Sequence, residues 1–164
     1  MMCAMKLQHE VTYAASPDRV FAMLADPAFR EAAVAAQGVV SAEVQLTRTA
    51  GGFSLTVEQL QKTDDLPSFA RSITGDTTRV VQREEWADTT GGTLKLESPG
   101  KPSEVTGTVT LRPEGSGTVE IVELDIAVKV PLVGGKLEKL LADRIRAGID
   151  AEHGVGVAWL EGNR

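Results

Sequence analysis

The sequence predicts an α+β fold in which a curved antiparallel sheet of about six to seven strands wraps around one long C-terminal α-helix. Three observations predict it. Leu137, Leu140, Leu141, Ile145 and Ile149, continued through Val155, Trp159 and Leu160, recur at helical spacing. At 1.5 Å rise per residue this stretch is roughly 36 Å long, the width of a small domain. Upstream of it, apolar and polar residues alternate in successive runs separated by turn signals. Those runs follow one another without intervening helices, the pattern of an antiparallel sheet. A sheet that covers so long a helix must curve around it, and the space between them suits a ligand.

The opening run, residues 6–14, places Leu7, His9, Val11 and Tyr13 on one face and Lys6, Gln8, Glu10 and Thr12 on the other, a half-buried strand. Ser16-Pro17-Asp18 then starts a short helix: Ser16 caps, Pro17 suits the first helical position, and Asp18 favours the positive end of the dipole. Val20, Phe21 and Leu24 form its buried stripe. Asp26-Pro27 ends that helix and caps another, carrying Phe29, Ala33 and Ala36, which Gly38 terminates.

Val40, Ala42, Val44 and Leu46 share a strand face, Gly51-Gly52 marks a hairpin, and Phe53, Leu55 and Val57 return. Residues 64–75 break the alternation, and Ser68 is expected to cap a single helical turn that exposes Phe69 and Ile73. Residues 78–87 form a strand with Val80 and Trp86 on one face. Gly91-Gly92 signals another hairpin, with Leu94 and Leu96 beyond it, and Val105, Gly107, Val109 and Leu111 alternate next. In the run from Thr118 to Val130 the parity slips. Val119 and Ile121 lie on one face, and Val122, Leu124, Ile126, Val128 and Val130 on the other, so a β-bulge near Ile121-Val122 is expected. His153, Gly154 and Gly156 suggest that the final helix loosens there.

At 164 residues the chain is expected to form one domain, residues 1–164, large enough to bury a core without staples. Its 42% hydrophobic and 24% charged fractions are ordinary for a soluble globular protein. A net charge of -6 argues against nucleic acid as a partner, which would call for a basic surface. Cys3 is the sole cysteine, so no intramolecular disulfide forms, and its place near the N-terminus reads as an incidental thiol. The start lacks a signal-peptide pattern and no apolar run approaches the roughly 20 residues that span a bilayer, so a cytoplasmic location is expected.

Two segments carry a family resemblance. The first is the opening strand followed by Ala15-Ser16-Pro17-Asp18-Arg19-Val20-Phe21 through Asp26. The second is Val130-Pro131-Leu132-Val133-Gly134-Gly135-Lys136-Leu137-Glu138-Lys139, which enters the closing helix. These resemble the helix-grip fold of the START/Bet v 1 (SRPBCC) superfamily. Together with Leu66-Pro67-Ser68-Phe69 they look like an uncharacterised actinobacterial branch of it, the family of unknown function DUF2505. The resemblance covers nearly the whole chain, but its motifs are structural, a helix cap and a helix entry. It implies a fold, and a class of ligand rather than an activity. Relatives bind lipids, sterols, quinones, polyketides or hormones, and a minority catalyse cyclisation or dehydration.

Candidate site residues lie on the inner faces of these elements. His9 is either a cavity histidine that bonds a ligand or moves a proton, or one satisfied by a neighbour at the sheet margin. Tyr13, the only tyrosine, either offers its hydroxyl to a ligand or satisfies it locally. Leu55, Val57 and Trp86 are expected in the cavity wall, with the Trp86 indole N–H available, and Phe69 and Ile73 in a gate. On the closing helix Arg144, Gly148 and Glu152 stand four residues apart. Gly148 costs about 1 kcal/mol of helix propensity, which suggests room for a ligand or a closely packed strand. Arg144 and Glu152 are either polar anchors of an otherwise apolar pocket or solvent-facing charges.

No metal-ligand spacing, phosphate loop or catalytic triad is evident, and no cofactor is expected. Glu84 and Glu85 are adjacent on a strand and point to opposite faces, so they cannot work as a carboxylate pair. The leading expectation is a binding or transport protein for a hydrophobic small molecule such as a lipid, quinone or polyketide-like compound. One alternative is a cyclase or dehydratase using His9 with Tyr13 or Arg144. A second is a protein-interaction module. A homodimer and a transient membrane contact are both compatible with the sequence.

Overall fold

The computed structural model describes residues 4–163, and Cys3 lies outside the described residues. The elements in chain order are β1 (Met5–Tyr13), α1 (Pro17–Leu24), α2 (Pro27–Ala35), β2 (Ser41–Arg48), β3 (Phe53–Lys62), α3 (Ser68–Thr74), β4 (Thr77–Asp88), β5 (Gly91–Glu97), β6 (Ser103–Glu114), β7 (Gly117–Val128) and α4 (Gly134–Leu160). The seven strands form one antiparallel sheet in the order β1-β7-β6-β5-β4-β3-β2. From β2 to β7, strands consecutive in the chain are neighbours in the sheet. The α1–α2 pair carries the chain from β1 at one edge of the sheet to β2 at the other.

The predicted helix starts are present. The Ser16 hydroxyl accepts from the Arg19 N–H at 3.4 Å, and the Asp26 carboxylate accepts from the Ala28 N–H at 2.9 Å, with Pro17 and Pro27 in the first turns. α4 begins three residues earlier than the periodicity implies and runs unbroken past Gly154 and Gly156 to Leu160, so the expected loosening does not occur. Contacts along the helix explain this. The Glu138 carboxylate accepts the Val128 N–H at 3.0 Å, His153 Nε2 lies 2.7 Å from the Thr12 carbonyl, and Arg19 donates to the Leu160 carbonyl at 3.0 Å. Gly156 sits directly against the Tyr13 ring, so close packing replaces helix propensity at that point.

Two further expectations are corrected. β7 pairs with β1 and β6 in unbroken register through Ile121 and Val122, with no bulge there. The parity slip has another cause: Val119 and Ile121 are buried on the outer face, between their cross-strand neighbours Thr12 and Arg112 and Glu10 and Thr110. A strand flanked on both sides carries apolar residues on both faces without changing register. The one shift in the sheet falls between β4 and β5 at Trp86–Asp88. Ser68 does not cap α3: Pro67 is the N-cap and no side-chain cap bond forms.

The inner face of the sheet packs on α4, α1 and α2. Its aromatic end is dense, with Trp86 stacked on Phe53 at 5.3 Å between ring centroids and Phe21 beside both. A smaller cluster of Ala70, Val128 and Leu137, joined by Leu66, Ile73 and Leu140, holds α3 to the start of α4. Gly107 of β6 marks a close approach in the sheet, for a Cβ there would stand 1.9 Å from the Glu123 carbonyl oxygen of β7. Because that obstacle is backbone, Gly107→Ala should destabilise the protein by about 2–3 kcal/mol, lowering the melting temperature by roughly 4–12 °C in a circular-dichroism melt. An unchanged melt would mean that β6 and β7 have slack to separate.

Candidate functional site

The sheet register builds two distinct zones along the inner face. On β3 the inward row reads Phe53, Leu55, Val57, Gln59, Gln61, and on β4 it reads Trp86, Glu84, Gln82, Val80. Each row passes from packed core to polar side chains. Where they turn polar, a cavity of about 520 Å³ opens between the sheet and α4. Val80, Leu94, Leu96, Val105, Leu141 and Ile145 supply its apolar wall. Gln37, Gln59, Gln61, Gln82, Arg144 and Glu152 are among its polar groups, with Lys62, Asp64 and Asp65 at the Arg144 end. The pocket is therefore amphipathic, where the sequence leads one to expect a mainly apolar one. A smaller recess of about 100 Å³ continues it beneath α3, lined by Leu66, Ala70, Ile73, Leu137 and Leu140 among others.

Beside the cavity lies a buried charged cluster. Arg30 of α2 is 4% exposed and grips Glu84 of β4, also 4% exposed, through two bonds of 3.2 Å. Its Nε donates to the Leu24 carbonyl at 2.7 Å, and its guanidinium lies 5.7 Å from the Phe53 ring centroid. Glu84 also accepts from the Trp86 indole N–H at 2.9 Å and the Gln82 amide at 2.5 Å. Glu152 of α4 approaches Arg30 at 3.6 Å. Glu120 of β7, 6% exposed, is the third carboxyl of the group. The Tyr13 hydroxyl is buried and has no hydrogen-bond partner among the described residues.

Burial and crowding set the protonation of this cluster. Burial first, then the charge of Glu152, pushes Glu120 up to about 8, with Arg30 opposing. Glu152 is likewise raised, by burial first, with Arg30 opposing and Glu84 adding. Burial, followed by Glu120 and Glu152, drives the Tyr13 phenol far above its ordinary range, so it stays protonated. For Arg30, burial alone would lower the pKa, but the carboxylates outweigh it, Glu84 foremost, and the guanidinium is held charged.

The residues singled out from the sequence separate. Arg144, Gly148 and Glu152 line the cavity, and Ile73 lines the recess. Arg144 is not solvent-facing: it donates to Asp65 at 2.9 Å, to the Gln61 side chain at 3.1 Å and to the Lys62 carbonyl at 3.1 Å. At Gly148 a Cβ would stand 2.9 Å from the Gln37 side-chain oxygen, so the room opened by this glycine is shared with an amide. Leu55 and Val57 are buried core residues short of the cavity. Trp86 packs in the aromatic end and its indole N–H is taken by Glu84, not available to a ligand. Phe69 is 37% exposed on α3. His9 faces α4 but pairs with Asp150 at 2.7 Å near the β1 edge and does not line the cavity.

Arg30 and Glu120 escaped the sequence reading, and Glu84 was considered there only as a partner for Glu85, although Glu84 and Glu120 carried a signal. Glu120 has the parity of Val122, Leu124 and Ile126, and Glu84 has that of Val80 and Trp86. A charge on the apolar parity of a strand points inward and demands a partner. Arg30 follows the buried Phe29 on a short helix, and its partner lies 54 residues away.

α3 is tethered over the smaller recess. Arg144 holds the β3–α3 connection, and the Lys101 ammonium donates to the Ile73 carbonyl at 3.2 Å. Arg144→Ala should loosen this segment, so that amides of residues 62–75 exchange at least about tenfold faster while those of α4 hold. Uniform protection in hydrogen exchange would mean that the apolar contacts of Ala70 and Ile73 suffice. Glu120 makes stability depend on pH. The unfolded chain loses this proton near 4.5 and the folded protein keeps it to about 8, so stability falls across that interval and levels off above it. Glu120→Gln should therefore melt close to the parent at pH 4 and clearly above it at pH 8. Parallel pH profiles would mean that Glu120 is ionised in the folded protein.

Known proteins share the fold of this chain. The uncharacterized protein Rv0481c of Mycobacterium tuberculosis (strain ATCC 25618 / H37Rv) is 24% identical over 119 residues, 69% of this chain and 68% of that protein. The crystal structure of TTHA0849 from Thermus thermophilus superposes with a TM-score of 0.65 at 21% identity, covering 94% of this chain and 98% of that one. A START superfamily protein from Mycobacterium smegmatis superposes at 0.63 with 18% identity and the same coverage. The fold is thus the START/Bet v 1-like helix-grip fold. Residues 8–160 match the model of one family, and the chain belongs to it: DUF2505, proteins of unknown function.

Proposed function

We propose that this protein binds and carries, or senses, a hydrophobic small molecule with a polar end, held between the sheet and α4. The cavity of about 520 Å³ carries the reading. It falls within the roughly 300–1,000 Å³ range of small-molecule sites, and rigid secondary structure forms most of its wall. The resemblance to a START superfamily structure supports the same class of ligand. Leu94, Leu96, Val105, Leu141 and Ile145 suit an apolar body, and the glutamine amides suit hydrogen-bonding substituents. α3, over the apolar recess, is the element that would move to admit the ligand.

The cavity does not favour the cyclase-type alternative, since neither His9 nor Tyr13 lines it. His9 is engaged with Asp150 on the β1 side of α4, whereas Arg144 reaches the connection after β3, so the two do not converge on one point. No helix of the described residues is long and apolar enough to cross a membrane.

Native mass spectrometry of protein purified from its own host or a close relative, followed by solvent extraction, tests the reading. A reproducible apolar compound at near-stoichiometric amount is expected. Gly148→Leu should abolish it while costing less than about 1.5 kcal/mol of stability, because its Cβ meets only the mobile end of Gln37. Empty protein in repeated preparations would overturn simple carriage.

A further inference from the structure

Arg144 and Glu152 bound the cavity along α4, two turns or about 12 Å apart, and only one of them is electrically satisfied. Arg144 is committed to Asp65, Gln61 and the Lys62 carbonyl, so it is not a free anchor for an acidic ligand. At the other end the charges do not balance. Arg30, the single cation among Glu84, Glu120 and Glu152, gives both terminal nitrogens to Glu84 and its Nε to the Leu24 carbonyl. Glu84 in turn is saturated by Arg30, Trp86 and Gln82. Glu152 approaches Arg30 at 3.6 Å, too long for a hydrogen bond.

An unsatisfied donor adjoins this excess of acceptors. The Tyr13 hydroxyl, on a side chain 3% exposed, has no partner among the described residues. It lies 3.0 Å from where a Cβ of Gly156 would stand, one turn beyond Glu152 on α4. The groups facing this point are Tyr13 from β1, Arg30 from α2, Glu84 from β4, Glu120 from β7, and Glu152 with His153 from α4. Of these three clustered carboxyls, only Glu152 lines the cavity; Asp64 and Asp65 line it at the Arg144 end, where Asp65 is paired with Arg144.

We propose that Glu152 is a cation subsite: the bound molecule is an amphipathic amine whose ammonium group sits on the Glu152 carboxylate, with its apolar body along Leu94, Val105 and Ile145. This deepens the binding function proposed above and rests on it. A hydroxyl or amide ligand would satisfy lone pairs but leave the charge imbalance. A carboxylate ligand would add a fourth negative group to a buried cluster with one cation. An ammonium supplies the missing charge at the carboxylate that the ligand can reach. Without it, the cluster balances itself by retaining a proton, in keeping with the raised affinities of Glu120 and Glu152 for one. Amine binding should therefore release a proton.

The test is calorimetric titration of the intact protein at pH 7 with three matched probes, 1-naphthylmethylamine, 1-naphthylmethanol and 1-naphthoate, in two buffers of different ionisation enthalpy. The amine should bind at least about tenfold tighter than the alcohol, with naphthoate weakest and with proton release for the amine alone. Glu152→Gln should bring the amine-to-alcohol ratio to within about twofold. Alcohol or naphthoate binding as tightly as the amine, or no proton release by the parent protein, would overturn the cation subsite and leave the binding function standing. Binding by none of the three would overturn both. The proton-release measurement needs no variant, so a misfolded Glu152→Gln, seen by circular dichroism, would not spare the proposal.

Discussion

The interior is organised around the buried ion pair of Arg30 and Glu84. Neither group can remain charged there without the other, and breaking such a pair costs about 3–5 kcal/mol because it strands a buried charge. Two distant segments are thereby fixed in place. Arg30 ties α2 to the end of α1 through the Leu24 carbonyl, and its guanidinium lies over Phe53. Glu84 collects the Trp86 indole and so sets the orientation of the Phe53–Trp86 stack. The short helices, the middle of the sheet and the aromatic core meet in one bidentate contact, whose planar geometry tolerates little displacement.

That contact also divides the inner face. On one side Phe21, Phe53, Trp86, Phe29 and Trp159 pack tilted, edge to face or stacked and leave a solid core. On the other, the inward rows change to Gln59, Gln61 and Gln82, and the sheet stands off from α4. Dispersion holds the first half shut, while amides and charges in the second half leave water or a ligand to complete their hydrogen bonds. Stability and binding are thus assigned to different stretches of the same strands. α4 spans both, anchored near β1 by His9 and His153 and near the β3–α3 connection by Arg144.

Much of the architecture is legible from residue order. Ser16-Pro17 and Asp26-Pro27 announce α1 and α2 through chemistry confined to four residues, and the spacing of Leu137, Leu141, Ile145 and Ile149 announces α4. The readings that failed are those in which a remote neighbour decides. Val119 and Ile121 suggest a bulge until their neighbours on β1 and β6 are seen to flank them on the outer face of β7. Gly154 and Gly156 suggest a fraying helix until Tyr13 is found pressed against Gly156. The candidate site divides in the same way. Arg144, Gly148 and Glu152 follow from helical spacing, whereas Arg30, Glu84 and Glu120 lie on three separate elements.

The sequence by itself determined the order and type of the elements, the face that most of them present inward and the family that the chain resembles. Those properties depend on local periodicity, caps and turns, which neighbouring residues settle among themselves. The tertiary structure decided which inward charges are neutralised and which are left over. It engaged His9 with Asp150, Arg144 with Asp65 and Arg30 with Glu84, and it left Glu152 facing the cavity. The physical reason is that a charge interacts through space. Its pairing depends on distances between segments far apart in the chain, which no periodicity records.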